Sequence, residues 1–83
     1  MSAHPPGPVE AVALAIVAHL RTHPLAADSA DGVARWWLGP AHAGVTLAQV
    51  EQALELLVAR GTLRRLRLMD GTVLYAQALP TRQ

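Results

Sequence analysis

The sequence predicts an α+β domain in which three helices are followed by a two-stranded β-hairpin. Three observations carry that prediction. Apolar residues recur at helical spacing from Val9 to Leu20 and again from Val50 to Val58. The tetrad Thr46-Leu47-Ala48-Gln49 is a capping box, the local signature of a helix start. Asp70-Gly71 separates two short runs rich in strand-forming residues, as a tight hairpin turn does.

Composition narrows the class. The chain has 83 residues, 52% hydrophobic and 16% charged, a globular balance with enough length for one domain and a small core. It has no Phe and one Tyr, so aliphatic side chains and two Trp residues must build that core. The absence of Cys rules out disulfides, thiolate chemistry and cysteine-based metal sites. The apolar run Val12–Ala18 is too short to cross a membrane and lacks the positive lead of a secretory signal, so a cytoplasmic location is expected. A formal net charge of +1 is too close to neutral to announce a nucleic-acid partner.

Residues 1–7 carry no apolar period and two prolines, and are expected to be a flexible tail; the domain is expected to span 8–79, with a short C-terminal tail at 80–83. In the first helix Gly7 caps the start, Pro8 fits the first helical position and Glu10 favours the helix dipole. Val9, Val12, Ala13, Ile16 and Leu20 form its buried stripe, and Pro24 ends it at or before His23. The second helix is read within "AADSADGVARWWLGP", capped by Asp28 or Ser29. Ala30, Val33, Ala34 and Trp37 share its inner face, Trp36 lies near the edge, and Asp31, Gly32 and Arg35 lie opposite. Trp37 is therefore the core ring and Trp36 at best half-covered. The third helix runs from about Leu47 to Arg60, stapled by Val45 and Val50, buries Val50, Leu54, Leu57 and Val58, and ends at Gly61.

A two-residue type I′ turn at Asp70-Gly71 sets the expected hairpin register: Leu68 opposite Val73, Arg67 opposite Leu74, Leu66 opposite Tyr75. Leu66, Leu68, Val73 and Tyr75 then share one face, and Arg65, Arg67, Met69, Leu74 and Ala76 the other.

This order of elements, and above all "VTLAQVEQALELLVARGTLRRLRLMDGTVLY", resembles the winged-helix superfamily, in particular the small helix-turn-helix domains of bacterial regulators. The resemblance spans most of the chain from Pro8 to Ala78 and implies three helices with a hairpin wing, a short extra strand before the third helix being an optional addition. It also implies DNA binding through the third helix, with Thr46, Ala48, Gln49, Gln52 and Glu55 facing the major groove, and Arg60, Arg64, Arg65 and Arg67 supplying positive charge. The residues themselves argue against that activity. No Arg or Lys occurs between Gly39 and Ala59, Glu51 and Glu55 place two negative charges on the helix, and the wing tip carries Asp70.

A second pattern points to a protein partner. Trp36 is spare to the core and belongs to a residue type enriched among interface hot spots. The outer side of the first helix carries Ala11, Leu14, Ala15 and Ala18, far less polar than a solvated helix face usually is. Its plain explanation is an alanine-rich composition. His19 and His23 stand one helical turn apart, but no carboxylate or Cys at matched spacing completes a zinc site, and His23 is read as a helix-end group. No nucleophile–base pair or phosphate-binding loop points to an enzyme, a cofactor or a small-molecule substrate. The favoured expectation is a non-catalytic module acting by protein–protein contact, as an adaptor, an assembly subunit or a homodimer, with Ala11, Leu14, Ala18 and Trp36 as candidate contacts. The alternative is a DNA-binding transcriptional regulator.

Overall fold

The computed structural model describes residues 7–78; residues 1–6 of the expected 1–7 tail, the expected tail at 80–83, and Leu79 at the end of the expected domain lie outside the described residues. Helix α1 spans Pro8–Thr22, with Gly7 at its N-cap and Pro8 in the first turn. A two-residue strand β1, Ala27–Asp28, precedes helix α2, Ala30–Gly32, which continues as a π-helical turn over Val33–Trp37. A 3₁₀ turn at Pro40–His42 leads to helix α3, Leu47–Ala59, and strands β2, Leu63–Arg67, and β3, Val73–Gln77, close the fold. The chain is thus α+β, with three helices and a three-stranded antiparallel sheet in the order β1-β3-β2.

The helices form where their local signals say. Thr46 Oγ1 accepts a hydrogen bond from the Gln49 amide at 3.1 Å, and Gln49 Oε1 accepts from the Thr46 amide at 3.1 Å, so two otherwise orphaned donors are satisfied reciprocally. Val12, Ala13, Ile16 and Leu20 from α1 meet Val50, Ala53, Leu54 and Leu57 from α3 across the core. Val33 and Trp37 close one side of it, and Leu63 and Tyr75 of the sheet close another. Burial of these aliphatic side chains supplies the main driving force for folding.

The second helical segment starts at one of its two expected caps and departs from expectation in one face and in its π-helical continuation. Ala27 and Asp28 pair with Ala76 and Tyr75 instead of joining the helix, so the extra strand lies before α2. Ser29 is the cap, its hydroxyl accepting from the Gly32 amide at 3.1 Å, while the Asp28 carboxylate accepts from the Ser29 amide at 2.8 Å. Gly32 is buried and does not face solvent opposite the core. The Asp28 side chain lies against it, so closely that a Cβ at Gly32 would collide with the carboxylate.

The hairpin register also differs, by one residue. Leu66 opposes Leu74, Arg67 opposes Val73 and Arg65 opposes Tyr75. The cause is the turn. The Gly71 amide donates to the Leu68 carbonyl at 3.0 Å and the Leu68 amide donates to the Thr72 carbonyl at 2.8 Å, leaving Met69, Asp70 and Gly71 as a three-residue loop. Within this loop only Gly71 has positive φ, +91°, whereas a type I′ turn needs it at Asp70 as well. One added loop residue moves alternate side chains across the sheet. Leu63, Arg65, Arg67, Val73 and Tyr75 therefore share the helix-facing side, and Leu66 and Leu74 share the outer side with Arg64 and Ala76.

Candidate functional site

Trp36 and Trp37 are separated by the π-helical turn that carries them. Trp37 is 7% exposed and Trp36 74% exposed. Trp37 is held from α1: the His19 ring stacks on it with centroids 4.8 Å apart, and His23 stacks on His19 at 4.4 Å. Burial and the neighbouring His23 charge hold the His19 imidazole below its ordinary pKa. His23 Nδ1 also lies 3.3 Å from the His19 carbonyl oxygen, at the end of α1 as expected of a helix-end group.

On α1 the outward face is open at Leu14 and Ala18, whereas Ala11 is half-buried at the edge of the packed side. These three share one helix, and Trp36 sits on a different element, the turn that stacks on α1 through Trp37 and His19.

The candidate DNA contacts are mostly committed elsewhere. Thr46 and Gln49 are engaged in the capping box, so Gln49 does not have both ends of its amide free for the two-point pairing with adenine. Gln52 is exposed. Arg60 does not pair with Glu55; it holds Glu10 of α1 through two hydrogen bonds of 3.0 and 3.1 Å, which lowers the Glu10 pKa and raises its own. Glu55 is taken by Arg65 at 3.0 Å and accepts a hydrogen bond from the Tyr75 hydroxyl at 3.2 Å. Burial and the Glu55 charge push the Tyr75 pKa up. Arg64 Nε reaches the Gln77 carbonyl at 3.4 Å, and Arg67 has no acidic partner among the described residues.

Neither the Glu10–Arg60 tie nor the Glu55–Arg65–Tyr75 cluster is legible as a pairing in the sequence, because partners 50, 10 and 20 residues apart meet only after packing. The alternation of Arg and Leu along β2 is the available signal for the second, and the register decides which side it serves. A small cleft of about 210 Å³ opens between Val17, Leu20, Arg21, Thr62 and Gln77. Among the described residues no three His, Asp, Glu or Cys side chains group as a metal site, and no helix is long and apolar enough to cross a membrane.

No family model, curated protein or solved structure matches this chain.

Proposed function

We propose that this chain is a small non-catalytic module of winged-helix type that acts through protein–protein contact, as an adaptor or assembly subunit. The observation that carries the proposal is the 74% exposure of Trp36 beside a fully packed Trp37. A large ring left in water on a helical turn costs hydrophobic free energy that a partner pocket recovers, and Trp is prominent among residues that anchor interfaces. The exposed Leu14 and Ala18 on α1 are the second candidate contact and the face through which two copies would associate. The winged-helix assignment is supported by the succession of helices, the closing hairpin and the strand before α2 that joins it.

The test places a photo-crosslinking residue at position 36 and, separately, at position 14, in an extract of the source organism, with sedimentation to determine self-association. The reading expects a reproducible, specific adduct from at least one position. Adducts that vary between preparations at both positions, from a chain that stays monomeric, reject it.

The DNA-binding regulator is the second reading, favoured by one observation: Arg64 and Arg67 are exposed on the hairpin without carboxylate partners among the described residues. Such a protein would depend on the wing more than on α3, whose exposed Glu51 and Glu55 repel phosphate.

A further inference from the structure

We propose that the free edge of β2 is a docking strand for an acidic, extended segment of another protein, which joins the sheet beside Leu63–Arg67. This surface is distinct from Trp36 and α1, and shares with them only the idea of a protein partner.

Strand order β1-β3-β2 leaves β2 unpaired along one side among the described residues. An edge strand presents a row of free backbone donors and acceptors, and an extended peptide can complete that row while its alternate side chains read the neighbouring positions.

The side chains select the occupant. Three of the five residues of β2 are arginines, all exposed. Among the described residues Arg67 has no acidic partner, Arg64 reaches only a neutral carbonyl, and Arg65 is shared with Glu55. Asp70, the acid of the hairpin, makes no ion pair with them among the described residues; its carboxylate accepts from the Thr72 amide at 2.9 Å. A second copy of this edge is a poor occupant, because antiparallel self-pairing centred on Arg65 sets two arginines directly opposite each other. An acidic strand reverses the sign of that interaction, and the guanidinium fork holds carboxylates in two-point contacts. The outer side adds an apolar complement. Leu66 and Leu74 lie opposite each other there and are half-buried, while Leu68 and Met69 beyond them are exposed. The matching sequence therefore alternates, with a carboxylate beside Arg67, the guanidinium on that side that Glu55 does not hold, and apolar side chains beside Leu66.

The experiment titrates the full chain with a short synthetic peptide of alternating Glu and Val, its ends blocked, and follows backbone amide shifts. Comparison peptides replace Glu with Lys, or carry N-methyl groups on one or the other alternate set of amides. The proposal expects shifts concentrated on β2, no binding of the Lys peptide, and failure of one of the two N-methylated peptides. Arg67→Glu should weaken binding about tenfold or more, as loss of a close charge pair does, and Arg64→Gln should weaken it less. Both positions are exposed, and a far-UV spectrum checks that each variant folds. Trp36→Ala should leave the titration unchanged, so a failed Trp36 interface and a failed β2 edge give different results. Absence of binding, equal binding of both N-methylated peptides, or indifference to Arg67→Glu overturns the proposal. So does duplex DNA that shifts the same amides at lower concentration than the peptide, which would make the arginines a phosphate site.

Discussion

The ring of His19 lies 4.8 Å from that of Trp37, the two planes within 17° of each other, and this stack joins α1 to the turn that presents Trp36. His23 stacks on the same imidazole at 4.4 Å. Burial and the neighbouring His23 shift the ring toward its neutral form.

The first prediction concerns pH. Burial and the His23 charge lower the His19 pKa from its ordinary 6.5, so the unfolded chain takes up this proton at higher pH than the folded one. The contribution of His19 to stability is complete above that ordinary value. It declines as the pH falls below it and levels off once the folded ring is itself protonated. Thermal unfolding at pH 7.5 and 5.5 should therefore show a lower midpoint in acid, and His19→Gln should shrink the difference. Identical shifts in the wild type and the variant would rule out the His19 contribution. Glu10 and Asp70 have lowered pKa values and contribute in a separate, more acidic window below the ordinary carboxylate range.

The two tryptophans should separate cleanly in stability. Trp37→Ala removes a buried ring and should cost about 3–5 kcal/mol, much of what a small domain has. Trp36→Ala should stay within about 0.5 kcal/mol, as exposed substitutions usually do. Urea titrations of both variants check this, and comparable losses would mean that Trp36 is packed in solution.

Gly71 should resist substitution for a backbone reason. Its φ is +91°, and no neighbouring atom lies within 4 Å of where a Cβ would stand. Gly71→Val should therefore cost roughly 1–3 kcal/mol from strain without a steric clash. Gly71→Asn should cost less, because Asn tolerates the left-handed region better. Equal stability of the Val variant and the wild type would show a different turn.

Binding to DNA should be weak and indifferent to sequence. With Arg60 and Arg65 held by Glu10 and Glu55, few guanidinium groups remain for phosphate. A pool of random duplexes at two salt concentrations should give a Kd of roughly 10⁻⁴ to 10⁻⁶ M near physiological salt. Enrichment of one sequence with sub-micromolar affinity, lost in Gln52→Ala, would move the regulator reading ahead. Gln52 is the better probe, since Gln49→Ala also breaks the capping box that starts α3.

Short-range chemistry makes the helices legible in the sequence. The Thr46–Gln49 box, Pro8 after Gly7 and the stop before Pro24 all act within one turn of the chain, and each element begins or ends where they lie. The opposite fates of Trp36 and Trp37 are also readable there, because adjacent residues of a helical segment cannot face one core together.

Asp70-Gly71 marks a hairpin but leaves its length open, since the same dipeptide serves a two-residue turn and a three-residue loop. The choice falls to packing. The observed register sets Tyr75 and Leu63 against the helices and lets Arg65 meet Glu55, and a slip of one residue would turn those side chains to the outer face. Gly32 shows the same division: helical periodicity puts it in solvent, and the pairing of Asp28 with Tyr75 lays a carboxylate over it. By itself the sequence determined where helices start and stop and which residues seek the core, because those preferences act over a few neighbouring residues. Tertiary structure alone decided the sheet register, the ion pairs and the free edge of β2, because they join residues from separate elements whose proximity no local preference encodes.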